Sequence, residues 1–177
     1  MQYGQVASTA VAGAREQPVA VSSRVSPAKK ETVKNLWLPV PGKTLNDLPD
    51  LALLVREHGN NACRPEGEDA TTGVRVQVND TEVALFRFGG RVFGTDAVCP
   101  HAGGPLVVGD IEDLAVGDPC IVCPFHKYRF RIRTGKNSFP GQPEFDMETY
   151  PVRVKGGGRL FIGFAQLSQK CFEEQDF

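Results

Sequence analysis

An antiparallel all-β fold, a sandwich or a barrel, is predicted by three features of this chain. Val74, Val76 and Val78 alternate with polar residues, the period of two that a half-buried strand requires. Asn79-Asp80, Gly89-Gly90 and Gly156-Gly157-Gly158 separate closely spaced apolar runs, as hairpin turns do. Only one short stretch has the character of a helix, so consecutive strands must be joined mainly by hairpins.

Taken in order, residues 1–32 contain neither Leu nor Phe and show no period of 2 or 3.6, which predicts a disordered tail. A folded domain is expected over 33–170. Asn35 to Val40 reads as a first strand ended by Pro41-Gly42, Asp47 to His58 as a short helix, and Gly59 to Thr72 as a polar loop carrying Cys63. Strands are predicted at 73–78, 82–88, 91–98, 120–122, 128–133, 150–155 and 159–164.

Composition limits the function. The 177 residues suffice for one domain with a core, and a formal net charge of -1 with pI near 6.3 excludes the basic surplus of a nucleic-acid binder. No apolar run reaches membrane-spanning length; Leu51 to Val55 is core-sized. Five cysteines at irregular spacing suggest no disulfide framework, so a soluble protein of a reducing, cytoplasmic compartment is expected. The first acid is Glu16, and organelle import through Met1 to Arg15 stands as the alternative.

The chemistry lies in two short motifs. Cys99-Pro100-His101 is followed, after 21 residues, by Cys123-Pro124-Phe125-His126. Two sulfur and two nitrogen donors at such spacing form a metal site. The flanking prolines and Gly103-Gly104-Pro105 place both pairs in loops and not on a finger helix. With Cys-Pro-His-Ala-Gly-Gly-Pro-Leu at 99–106, Gly109, Cys-Pro-Phe-His-Lys-Tyr at 123–128 and Thr134-Gly135, the stretch resembles Rieske-type [2Fe-2S] ferredoxins and the small subunit of nitrite reductases.

The resemblance implies a Rieske-like antiparallel β-fold with a two-loop cluster-binding subdomain. It implies one [2Fe-2S] cluster per chain, with Cys99 and Cys123 on the buried iron and His101 and His126 on the exposed one. Replacing two thiolates by neutral imidazoles raises the net charge of the oxidised centre from -2 to 0, so an electron is added more easily. Potentials then rise from about -400 mV to between about -150 and +300 mV. The implied function is that of an electron carrier between a reductase and an acceptor enzyme, with no catalytic residues of its own. The alternatives are a small subunit of a nitrite reductase or the ferredoxin component of an oxygenase, and, outside redox chemistry, a structural metal-binding interaction module. High-potential Rieske proteins tie the two loops by a disulfide at the positions of Gly104 and Phe125, and place a serine where this chain has Tyr128. Neither feature can exist here, which predicts a potential near the low end of the range.

Other features have two readings each. Lys127, Arg129, Arg131 and Arg133 alternate with Tyr128, Phe130 and Ile132, giving either a docking face for an acidic partner or a stripe neutralised inside the chain. The internal acids available are Glu144, Asp146 and Glu148, or Asp110, Glu112, Asp113 and Asp118. Cys120 and Trp37 are expected in the core, and His58 on the surface. Phe139 to Pro143 is expected beside the cluster, because related domains shield it with a proline-containing third loop.

Overall fold

The computed structural model describes residues 36–59, 61–67, 70–115, 117–138 and 145–170. The chain divides into Met1–Glu31 and Thr32–Phe177, and every described residue belongs to the second unit. The predicted tail and residues 139–143 lie outside the described residues.

The described residues form ten strands and one α-helix: β1 (Leu36–Thr44), α1 (Leu51–Glu57), β2 (Val74–Val78), β3 (Thr81–Phe88), β4 (Arg91–Asp96), β5 (Asp110–Asp113), β6 (Pro119–Val122), β7 (Arg129–Arg131), β8 (Thr149–Tyr150), β9 (Val152–Lys155) and β10 (Arg159–Phe164). They form three sheets, ordered β1-β10-β9, β2-β3-β4-β8 and β5-β6-β7, and every strand pairing is antiparallel. The all-β expectation therefore holds.

β3 is the hinge of the packing, because its alternating side chains enter two different cores. Ala84 and Phe86 join Leu51, Ile111, Ile121, Phe130 and the cysteines of the motifs. Val83 and Leu85 point the other way and join Val40, Leu160, Ile162 and Phe164. Both hairpins at the ends of β3 use left-handed backbone, at Asn79 and Asp80 (φ 56° each) and at Gly89 and Gly90 (φ 59° and 74°). Such turns match the twist of the strands they join.

Four elements differ from the sequence reading, one being the strand expected over 150–155, which is divided at Pro151 into β8 beside β4 and β9 beside β10. β1 does not stop at Pro41-Gly42 but continues to Thr44; the imino residues and Gly42 (φ 62°) appear as a register shift against β10 between Pro39 and Thr44. The helix starts at Leu51, not at Asp47, since Pro49 precedes it and the Asp50 carboxylate accepts from the Ala52 N–H as N-cap. β5 has no counterpart in the reading. Three of its four residues are acidic, and no local pattern marks it as a strand. Trp37 is half-buried rather than core, with the Arg153 guanidinium 3.7 Å from its ring centroid.

Candidate metal centre

The two motifs occupy two loops that fold alike. The first connects β4 to β5, and the N–H of Gly103 donates to the Cys99 carbonyl at 2.8 Å while the N–H of Cys99 donates to Gly104 at 2.8 Å. The second connects β6 to β7, where Lys127 donates to Cys123 at 3.1 Å and Cys123 donates to Tyr128 at 2.8 Å. In both, the residue four after the cysteine is left-handed, with φ 70° at Gly103 and 59° at Lys127. This turn lifts the histidine away from the buried cysteine. Cys99 and Cys123 are 2% and 1% exposed, whereas His101 and His126 are solvent-facing and meet edge to face with ring centroids 4.9 Å apart.

The four side chains are thus sorted into a buried sulfur pair and an exposed nitrogen pair. Among the described residues no group of three or more His, Cys, Asp or Glu gathers as the donor set of one ion. A two-iron cluster asks each iron for only two protein donors, so the sorted pairs fit a [2Fe-2S] group. The cradle around it is tight: a Cβ on Gly104 would sit 2.7 Å from the Cys123 sulfur and 3.2 Å from the Phe125 ring. Burial raises the Cys99 thiol pKa, opposed by backbone hydrogen bonds from His101 and Ala102, while the neighbouring Cys123 sulfur raises it further. Those N–H groups aim at a sulfur that ligation would hold as thiolate.

Rings surround the nitrogen pair unevenly. Tyr128, only 5% exposed, stacks on His101 with centroids 4.6 Å apart and planes at 30°. Phe145 lies against both, 5.6 Å from His101 and 6.1 Å from Tyr128. Neither Tyr128 nor Phe145 was marked by the sequence as a neighbour of His101, since stacking between separate loops has no local signature.

Three of the four cations of the basic stripe are paired within the chain. Lys127 meets Asp110 at 3.5 Å, and Arg129 and Arg131 form ion pairs with Glu112 and Asp118. Of the acids weighed from sequence, Asp110, Glu112 and Asp118 thus neutralise Lys127, Arg129 and Arg131. Asp113 instead accepts from the Gly117 and Asp118 N–H groups, and Asp146 pairs with Lys136. Arg133 stands over the Phe93 ring at 6.0 Å. Cys120 is fully buried, its thiol pushed up to about 11 by burial first, and Cys63 is fixed by paired backbone hydrogen bonds with Ile111. His58 is exposed, and its Nδ1 lies 3.0 Å from the Leu54 carbonyl.

A β-fold with two cysteines and two histidines on two like loops fits an iron-sulfur class of protein. The family model of the soluble Rieske-type ferredoxin matches residues 63–145. A human Rieske domain-containing protein is 48% identical over 62 residues, covering 35% of this chain and 39% of that protein. The ferredoxin component of the naphthalene 1,2-dioxygenase/salicylate 5-hydroxylase systems of Ralstonia sp is 34% identical over 91 residues, 51% of this chain and 78% of that one. In fold, the chain is similar to the ferredoxin of carbazole 1,9a-dioxygenase from Nocardioides aromaticivorans, with TM-score 0.50 and 23% identity, covering 71% of this chain and 95% of the other. The chain belongs to the Rieske-type ferredoxin family, and the cofactor of that family is a [2Fe-2S] cluster. It spans about two fifths of the human relative's length. Among the described residues no helix is long and apolar enough to cross a membrane.

Proposed function

We propose that this chain is a one-electron carrier in which Cys99 and Cys123 hold the inner iron of a [2Fe-2S] cluster and His101 and His126 the outer one. The observation that carries the reading is the sorting of donors, with sulfurs buried and imidazoles exposed. When bound, the cluster supplies reversible one-electron chemistry at a potential raised by its neutral ligands. The protein's part is to exclude water from the sulfurs, donate N–H bonds to Cys99 and present the imidazole edges to a partner. Residues 33–170 form the carrier domain, and a reducing, cytoplasmic setting suits its free cysteines.

The partners are a reductase and an acceptor enzyme, docking on the histidine tip. Phe125, 58% exposed and one residue before His126, presents an apolar surface there. Because Arg129 and Arg131 are already paired, docking relies on this apolar surface more than on steering by them. Service within an oxygenase system is the second reading, favoured by the name of the Ralstonia relative as a ferredoxin component.

The test is iron and acid-labile sulfide analysis with EPR on anaerobically purified protein. Two irons and two sulfides per chain, lost in Cys123→Ser, are expected. Stoichiometric zinc without sulfide would replace the reading by that of a structural metal module. A stopped-flow salt series with the reductase tests the docking mode: wild type and Arg129→Gln should show the same salt slope, and a slope that falls in the variant would restore the stripe as a docking face.

A further inference from the structure

The two imidazoles of the centre are not held alike. His126 is exposed, and its ring meets the edge of His101 and the ring of Phe125 at 6.3 Å, itself largely in solvent. His101 has a partner over its face. Tyr128 stacks on it at 4.6 Å and 30°, and Phe130, fully buried, lies behind Tyr128 at 6.3 Å and 17°. Phe145 closes a further side of the same imidazole. The stack therefore runs from the closed core out to the first loop's histidine, although Tyr128 belongs to the second loop.

We propose that Tyr128 is the positioning residue for His101, fixing the plane of an imidazole that the other loop supplies. The inference rests on His101 being a cluster ligand. Its physical basis is a chain of constraints. The Tyr128 carbonyl accepts from the Cys123 N–H at 2.8 Å, so its backbone is fixed to one sulfur donor, while its ring is fixed against Phe130. An imidazole laid on that ring has one favoured rotation about its side-chain bonds, and the two loops are set at one mutual distance. His126, with no such platform among the described residues, takes its orientation from its own loop. The arrangement makes the outer iron's two ligands unequal, with His101 rigid and His126 adaptable towards a docking partner.

The experiment uses the full-length, cluster-loaded protein and compares Tyr128→Leu, Tyr128→Phe and Phe130→Leu with wild type. The readouts are the EPR line shape and histidine-nitrogen couplings of the reduced protein, and the rate of iron release to a chelator. In Tyr128→Leu one nitrogen coupling should shift and the lines broaden, with the second coupling unchanged. Iron release should quicken about two- to tenfold, the weight of one aromatic pair. Tyr128→Phe keeps the ring and should match wild type, and Phe130→Leu, which keeps the Tyr128 ring but loosens its backing, should lower the melting temperature and shift the coupling less than Tyr128→Leu does. A Tyr128→Leu protein that cannot retain iron, beside a Phe130→Leu protein that can, carries the same meaning. The proposal is overturned by wild-type couplings in Tyr128→Leu, by Tyr128→Phe behaving as the leucine variant, or by equal disturbance from Phe130→Leu. Absence of any histidine-nitrogen coupling in wild type would instead remove the ligand assignment itself, and this inference with it.

Discussion

The two loops that carry the Cys-His pairs close with the same backbone pattern yet are filled by opposite means. At the fifth position after the cysteine the first loop has Gly104, with no side chain, and the second has Tyr128, one of the larger ones. Each of these faces the other loop: the Gly104 α-carbon is turned to the Cys123 sulfur, and the Tyr128 ring to His101. The space given up by one loop is the space into which the sulfur and Phe125 of the other fit. The loops are therefore complementary across the site, and this takes the place of a covalent tie between them. Their anchoring differs as well. The first loop is held by its own backbone and the bridge between Val98 and Pro105. The second continues into β7, whose arginines reach across β6 to acids on β5 and its neighbouring turn.

The strongest challenge to this complementarity is Gly104→Val. Its branched side chain would overlap the Cys123 sulfur and press on Phe125. Overpacking of about 1–3 kcal/mol or more is expected, with loss of bound iron as the loops part. Iron content and melting temperature check it, and a variant that loads fully would show that the close approach is dispensable.

Next in size is the anchor of the second loop. Glu112 is 7% exposed, so Arg129→Gln leaves its carboxylate short of a partner. A loss of about 1–3 kcal/mol is expected in chemical denaturation. Hydrogen exchange should quicken at Lys127 and Cys123 and stay slow at Gly103 if the loops are anchored independently.

Smaller effects come from the left-handed residue that both loops need. Nothing lies within 4 Å of a Cβ on Gly103, so Gly103→Ala meets only the backbone cost, about 1–2 kcal/mol. Lys127 already bears that cost, and in its pair with Asp110 the lysine side chain is 59% exposed. Lys127→Gly should therefore be neutral or stabilising by up to about 1 kcal/mol. Opposite signs for these two substitutions would establish the shared turn.

The smallest effect on the loops is expected from acid acting outside them. Asp50 accepts from Gly89 and Gly90 and pairs with Arg87, tying α1 to the hairpin between β3 and β4. Burial acts to raise its pKa, but the N–H bonds from Gly90, Gly89 and Ala52 and the Arg87 charge outweigh it and leave it lowered. With the folded value below the unfolded one of about 3.9, the contribution is present above roughly pH 4 and is lost as pH falls through the folded value. Asp50→Asn should flatten the stability profile there, while exchange at Gly103 and Lys127 shows no separate acid response.

How much could be read without the structure differs between these parts. The all-β class, most hairpins and the two donor pairs are legible because each depends on residues close in sequence: alternation, turn glycines, Cys-x-His and Cys-x-x-His. The internal pairing of the basic stripe was one of two readings, since alternation shows that Arg129 and Arg131 share a face but not what crosses β6 to meet them. β5 escaped notice because Asp110, Glu112 and Asp113 are poor strand formers that gain their place from pairing with β6. The first strand and the helix were misjudged at Pro41-Gly42 and Pro49, where a local breaker was absorbed as a bulge or moved the N-cap.

By itself the sequence determined the donor types, their spacing and the turns that carry them, all local consequences of covalent order. Tertiary structure alone decided that the sulfurs face inward, that the imidazoles meet at 4.9 Å, and that Gly104 and Tyr128 each serve the opposite loop. The physical reason is that burial and ring stacking depend on which surfaces the sheets bring together, and the two loops lie on different strand pairs whose approach is set by the shared core around Phe86, Ile121 and Phe130.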